Sequence, residues 1–183
     1  MLVTGTMGAV GSAAAKIAAW KGARVLGTVR SSRDLGRRND LAMVAWIDLE
    51  ARPLPESVKK LTKGKGADLI LDVVGGPLFE PCLESLAQRG RQIAIASPGD
   101  GRVTFNLVDF YHNEARLLGL DTLKLSFVEA AEILKGMLPG FKDGVFSPQS
   151  VQTISLDEAL RAYRAISEGS ARKKFVICFP QRD

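Results

Sequence analysis

The segment Leu2-Val3-Thr4-Gly5-Thr6-Met7-Gly8-Ala9-Val10-Gly11-Ser12 constrains this chain more than any other. A short apolar run, glycines recurring every third residue and an alanine-rich amphipathic stretch give a strand, a turn and a helix start. That is the context in which a glycine motif carries chemistry. Without a Cβ, Gly5 and Gly8 let the backbone turn tightly and approach a diphosphate. Gly11 lets the helix lie close on the strand, and Ala13, Ala14, Ala15 and Ala18 keep that face thin. Amide protons at the helix start supply partial positive charge for phosphates. The turn therefore points to a dinucleotide site.

The rest of the chain repeats the rhythm. At 183 residues it is one domain's length, and 46% hydrophobic with 25% charged residues is globular composition. Apolar runs at Leu2–Thr4, Arg24–Val29, Ala45–Ile47, Asp68–Val73, Gln92–Ala96 and Arg116–Leu120 read as strands. Most are continuous rather than alternating, as expected of a parallel sheet covered on both faces. Helical patterns fall at Val10–Lys21, Ser32–Leu41, Pro55–Thr62, Pro77–Ala87, Ser126–Met137 and Leu156–Glu168. In the last, Ser155 with Glu158 forms a capping-box sequence. Stretches at Gly75–Pro77, Pro98–Gly101 and Pro139–Gly144 read as loops. Right-handed crossovers then predict an α/β fold of Rossmann type, a doubly wound parallel sheet of strand order 3-2-1-4-5-6 with helices on both faces. Ligands in such sheets bind beyond the strands' carboxyl ends, which selects the loops after Thr4, Val29, Val73 and Ala96.

Several function classes drop out. No apolar run reaches the ~18 residues of a membrane span, and no basic stretch followed by an apolar h-region stands at the chain's start. Cys82 and Cys178 are too few for a disulfide scaffold or a zinc site of their own, and read as buried structural thiols. A single histidine, His112, cannot build a metal cluster, so no metal ligands are expected. Neither Tyr111 nor Tyr163 has a lysine four residues on, which excludes a Tyr-x-x-x-Lys catalytic pair. The net charge of +5 is spread over Arg30, Arg33, Arg37 and Arg38, the run from Lys59 to Lys65, and Arg172 to Lys174. With 7% aromatics, mostly within apolar runs, these clusters read as solvated surface, and nucleic acid is not the expected partner. A cytoplasmic location is the default expectation.

The end of the second strand bears on the cofactor. An Asp or Glu about 20 residues past the glycines usually meets a free ribose 2′-hydroxyl. Here the chain runs Gly27-Thr28-Val29-Arg30-Ser31-Ser32-Arg33, with Asp34 as the first acid. Two arginines and two hydroxyls suit a 2′-phosphate through charge-assisted hydrogen bonds. The expected cofactor is NADP(H).

Together, Val3 to Gly11 and Gly22-Ala23-Arg24-Val25-Leu26-Gly27-Thr28 resemble the cofactor half of the medium-chain dehydrogenase/reductase superfamily, and within it the quinone oxidoreductase (zeta-crystallin-like) branch. Gly66-Ala67-Asp68-Leu69-Ile70-Leu71-Asp72-Val73-Val74-Gly75-Gly76, Gly90-Arg91, Leu156-Asp157-Glu158-Ala159 and Lys174-Phe175-Val176-Ile177 extend the resemblance along nearly all of the chain. One departure is in the turn, where Thr6 takes the family's first glycine position and Gly5 stands one residue earlier.

The resemblance implies that residues 1–183 are an NADPH-binding domain, and that the family's GroES-like catalytic domain, which precedes this segment, is absent. It implies that Gly5, Thr6, Gly8, Ala9 and Val10 line the pyrophosphate and that Arg30, Ser31 and Arg33 surround the 2′-phosphate. Val74 and Gly75, with Ala96, Ser97 and Pro98, would flank the ribose and nicotinamide. The implied activity is zinc-independent hydride transfer from NADPH to a quinone or α,β-unsaturated carbonyl. No catalytic residue is identified, because substrate-side groups would belong to the other domain. The alternatives are a non-catalytic dinucleotide-binding sensor or scaffold, and a fragment of a zinc-dependent alcohol dehydrogenase. The apolar stretch Leu117–Leu125 reads as an edge strand through which the family implies a homodimer.

Overall fold

The computed structural model describes residues 1–37, 43–146, 151–171 and 173–179. The far end of the Ser32–Leu41 helical pattern, with Arg38, and Arg172 of the third basic cluster lie outside the described residues. The chain divides into two units, Met1–Phe146 and Ser147–Asp183.

In the first unit, β1 (Leu2–Val3), α1 (Ala9–Trp20), β2 (Leu26–Val29), β3 (Ala45–Asp48), α2 (Leu54–Leu61), β4 (Ala67–Asp72), α3 (Phe79–Glu84), β5 (Leu86–Ala94), α4 (Leu107–His112), β6 (Arg116–Gly119) and α5 (Phe127–Lys142) follow in order. The strands form one parallel sheet in the order β3-β2-β1-β4-β5-β6, as the Rossmann reading requires. In the second unit, β7 (Val151–Ile154) and β8 (Lys174–Ile177) pair in parallel, with α6 (Ala159–Ser167) between them in sequence.

Two adjacent residues at the sheet's centre show how it is covered on both faces. Side chains alternate along a strand, so Leu2 and Val3 point to opposite sides, and both are fully buried. Leu2 joins a core with Leu26, Ile47 and Ile70 from the sheet, Leu54 and Val58 from α2, and Phe79, Cys82 and Leu83 from α3. Val3 packs with Val25 and with Ala15 and Ala18 of α1. Each fully buried aliphatic side chain contributes about 1.5–3 kcal/mol. Although β1 has only two ladder residues, its hydrogen bonding extends past both ends. The Met1 carbonyl accepts the Leu26 N–H at 2.8 Å, and the Thr4 N–H donates to the Leu71 carbonyl at 3.1 Å. Ala13 is exposed and Ala14 half-buried, so Ala15 and Ala18 are the residues that thin the α1 contact.

Several boundaries differ from the sequence reading. The Pro77–Ala87 pattern ends as a helix at Glu84, because the Ser85 carbonyl accepts the Ala67 N–H at 2.9 Å and the chain leaves for the sheet. The fifth strand accordingly begins at Leu86 and stops at Ala94, short of Ala96. Its register shifts opposite Ala67–Leu69, where Arg89 adopts φ +62°. Helix α4 carries no long amphipathic pattern. Asn106 starts it by accepting the Val108 and Asp109 N–H groups at 3.0 and 3.3 Å. The edge strand β6 spans four residues, with a 3-10 turn at Thr122–Lys124 in place of further strand. Helix α5 runs five residues beyond Met137, through Pro139, to Lys142. Close packing holds this extension: Gly140 is buried, and a Cβ there would overlap the Phe146 ring. Cys178 is exposed rather than buried.

Candidate functional site

The turn after β1 is built by buried hydroxyls as much as by glycines. Gly5 has φ +56°, and a Cβ there would lie 2.8 Å from Val73 Cγ2; only glycine adopts this conformation freely. The Gly5 N–H donates to Thr28 Oγ1 at 3.1 Å. Fully buried Thr6 donates its hydroxyl to the Thr28 carbonyl at 2.9 Å. The Thr6 side chain therefore ties the turn to β2 and does not face outward. The Gly8 N–H closes the turn on the Gly5 carbonyl at 2.9 Å. A Cβ on Gly11 would sit 2.7 Å from the Gly5 carbonyl carbon and 2.9 Å from the Thr4 oxygen, so no larger residue lets α1 approach β1 this closely.

The N-terminus of α1 is left bare. Gly8 is its N-cap, no side chain caps it, and no acid lies in its first turn. Gly8, Ala9 and Val10 are exposed, with Val10 at 55%. The first-turn amides and the helix dipole thus face outward with no carboxylate against them, as an anionic diphosphate requires.

Beyond β2, Arg30 and Arg33 are exposed and Ser31 is half-buried. A residue the sequence spacing did not reveal shapes this loop. Asp48, paired in register with Val29, accepts the Ser32 N–H at 2.7 Å and the Glu50 and Ala51 N–H groups at 2.9 and 3.3 Å. Desolvation pushes its carboxyl pKa up, but the backbone donors of Glu50, Ser32 and Ala51 outweigh that and hold it below the ordinary 3.8. Its charge is occupied in fixing the loop backbone.

After β4, Val74 is 36% exposed and Gly75 is buried at φ +67°. Ala96 and Ser97 beyond β5 are exposed. A Cβ on Gly75 would run into the Ala96 carbonyl. The loops after β1, β4 and β5 therefore meet at one end of the sheet, while the loop after β2 flanks them. Thr4 and Asp72 lie buried beneath and were not singled out by motif. Buried Cys82 is no nucleophile, since burial first, and then the neighbouring Asp72, push its thiol well above the ordinary range. His112 ends α4, exposed and stacked on Tyr111 with centroids 4.7 Å apart, away from these loops in sequence. A separate groove of about 570 Å³ at the amino ends of β4 to β6 is lined by Lys59, Lys65, Glu84, Phe105 and Phe110 among others.

Residues 9–136 match the profile of the family described as zinc-binding dehydrogenase. The chain belongs to that family. The medium-chain dehydrogenase/reductase assignment made from the sequence therefore stands, with quinone oxidoreductases among its homologues. A zinc-type alcohol dehydrogenase-like protein of Schizosaccharomyces pombe is 32% identical over 183 residues, covering 97% of this chain and 52% of the relative. Human quinone oxidoreductase is 26% identical over 172 residues, covering 93% and 51%. The structure of Escherichia coli quinone oxidoreductase complexed with NADPH superposes with a TM-score of 0.82 at 20% identity, over 97% of this chain and 56% of that one, and shares the fold. The chain spans about half the length of these two curated relatives.

The family implies a dinucleotide and, by its name, zinc. A dinucleotide fits, since the α1 terminus is uncapped and carries no acid in its first turn. Among the described residues no three His, Cys, Asp or Glu side chains gather as metal ligands. No helix among the described residues is long and apolar enough to cross a membrane.

Proposed function

We propose that this chain binds NADPH across the carboxyl ends of β1, β4 and β5 and serves a zinc-independent reductase of quinones or α,β-unsaturated carbonyls. The observation that carries this reading is the bare α1 terminus behind the Gly5–Gly8 turn, beside a loop bearing Arg30 and Arg33. In it, the pyrophosphate lies against the Gly5, Thr6, Gly8, Ala9 and Val10 backbone and takes its hydrogen bonds from the Ala9 and Val10 amides, since those of Gly5 and Gly8 are given to Thr28 and to the Gly5 carbonyl. Arg30, Ser31 and Arg33 hold the 2′-phosphate, on a loop that Asp48 keeps in shape. Val74, Gly75, Ala96 and Ser97 orient the nicotinamide ribose. When bound, reduced nicotinamide would supply a hydride to an electron-poor carbon, leaving oxidised nicotinamide, and the resulting enolate would take its proton from solvent. This chain's part is to bind, orient and exclude water; the groups that contact the electron acceptor belong to the half of its relatives that it does not span. The two unpaired cysteines suit a cytoplasmic setting. We also propose a homodimer through β6, whose four residues are all exposed.

Replacing Arg30 and Arg33 by Ala tests the cofactor assignment. Each exposed charge-assisted contact is taken as about 1.4 kcal/mol, or tenfold, so the double variant should lose on the order of a hundredfold in NADPH affinity while NADH binding barely moves. Equal losses for both cofactors would refute the 2′-phosphate role. The name of the fission-yeast relative favours a second reading, alcohol oxidation with zinc. NADP⁺-linked alcohol oxidation abolished by chelation, measured on a protein that includes the remaining half, would support it instead.

A further inference from the structure

We infer that Thr4 and Asp72 are positioning residues that couple the two halves of the dinucleotide site, an inference that rests on the NADPH reading above. Both side chains are fully buried. Thr4 Oγ1 donates to Asp72 Oδ1 at 2.8 Å and accepts the Val73 N–H at 2.9 Å. The same Asp72 oxygen accepts the Val74 and Gly75 N–H groups at 3.1 and 3.0 Å. Three consecutive loop amides are thus drawn inward by a pair that joins the end of β1 to the end of β4.

The pair sits where it controls geometry. Thr4 immediately precedes the Gly5 turn, and Val73 and Val74 form the wall that a Gly5 Cβ would strike. Gly75 in turn lies against the Ala96 carbonyl and Ser97 Cα. A shift of the 73–75 loop therefore moves it relative to the glycine turn on one side and to the Ala96–Ser97 loop on the other. Those loops hold the pyrophosphate and the nicotinamide ribose respectively. Asp72 Oδ2 has no hydrogen-bond partner. A buried carboxylate left half-satisfied costs stability. The arrangement is explained by what the other oxygen fixes, not by the strength it adds to the core.

Titration calorimetry with NADPH and with 2′,5′-ADP, which lacks the nicotinamide mononucleotide half and so keeps only one phosphate of the pyrophosphate, separates positioning from general support. Thr4→Val is nearly isosteric but can neither donate to Asp72 nor accept from Val73. It should weaken NADPH by about tenfold and leave 2′,5′-ADP within about twofold, with Thr4→Ser restoring NADPH binding. Asp72→Asn keeps an acceptor for the three donors and should stay within about threefold of wild type for both ligands. Each variant is titrated well below its own melting temperature. Folded Thr4→Val that binds NADPH as wild type does, or loses both ligands equally, overturns the coupling. Should Thr4→Val not fold, Asp72→Ala carries the same expectation and the same refutation. Wild-type protein that binds neither ligand overturns the cofactor reading and this inference with it, whereas wild type binding both with unaffected variants overturns this inference alone.

Discussion

At the residue scale, Gly11 shows how directly one position sets the site. Alanine in a helix interior is favoured over glycine by roughly 1 kcal/mol. Here, however, the added methyl meets the Gly5 carbonyl and the Thr4 oxygen, which are backbone atoms and cannot rotate away. Overpacking of this kind costs about 3 kcal/mol, so Gly11→Ala should destabilise the protein by roughly 2 kcal/mol, read from the urea midpoint. An unchanged or raised midpoint would mean that α1 does not lie this close to β1. Gly5, Gly8 and Gly11 were legible in the sequence because their roles are local. Thr4 and Asp72 were not, since their bond joins positions 68 residues apart. Asp48 reaches Ser32 across 16 residues by strand pairing, which counting forward from the glycine motif does not reveal.

At the element scale, ends are set by side-chain bonds that periodicity does not record. Ser126 caps α5, accepting the Glu129 N–H at 3.2 Å, while Glu129 Oε2 accepts the Ser126 N–H at 2.8 Å. Ser126→Ala should cost about 1 kcal/mol, measured as a lower thermal midpoint. The Glu129 carboxyl lies below its ordinary 4.5 because of the Ser126 N–H, then the Ser126 hydroxyl, against a small opposing desolvation. A depressed carboxyl stabilises the fold above its unfolded pKa and loses that contribution as pH falls through the folded one. The deficit of Glu129→Gln relative to wild type should therefore persist from neutral pH down to about 4.5 and shrink below it; a deficit that vanished above pH 6 would contradict this. Long amphipathic helices such as α1 and α2 were readable from pattern alone. Short α4 was not, because Asn106 starts it rather than an apolar stripe. β7 and β8, four residues each, were not read as strands from the sequence. Within β5, the bulge at Arg89 lets a strand begin where the apolar spacing still looked helical.

At the scale of the whole molecule, the strand order follows from the alternation of continuous apolar runs with amphipathic ones, and that much the sequence carried. Leu117, Leu118 and Leu120 on or beside β6 are 39%, 45% and 49% exposed, and an open apolar edge is a pairing surface. The proposed homodimer predicts that Leu118→Lys shifts sedimentation from dimer to monomer; a wild type that already sediments as a monomer would exclude it. The central claim is that the carboxyl ends of β1, β4 and β5 form one dinucleotide site, with the loop after β2 selecting the phosphorylated form. Calorimetric titration of the wild-type chain with NADPH and with NADH tests it most directly. The account predicts one NADPH per chain, bound at least about tenfold more tightly than NADH. No measurable heat with either nucleotide, or tighter binding of NADH, would contradict it.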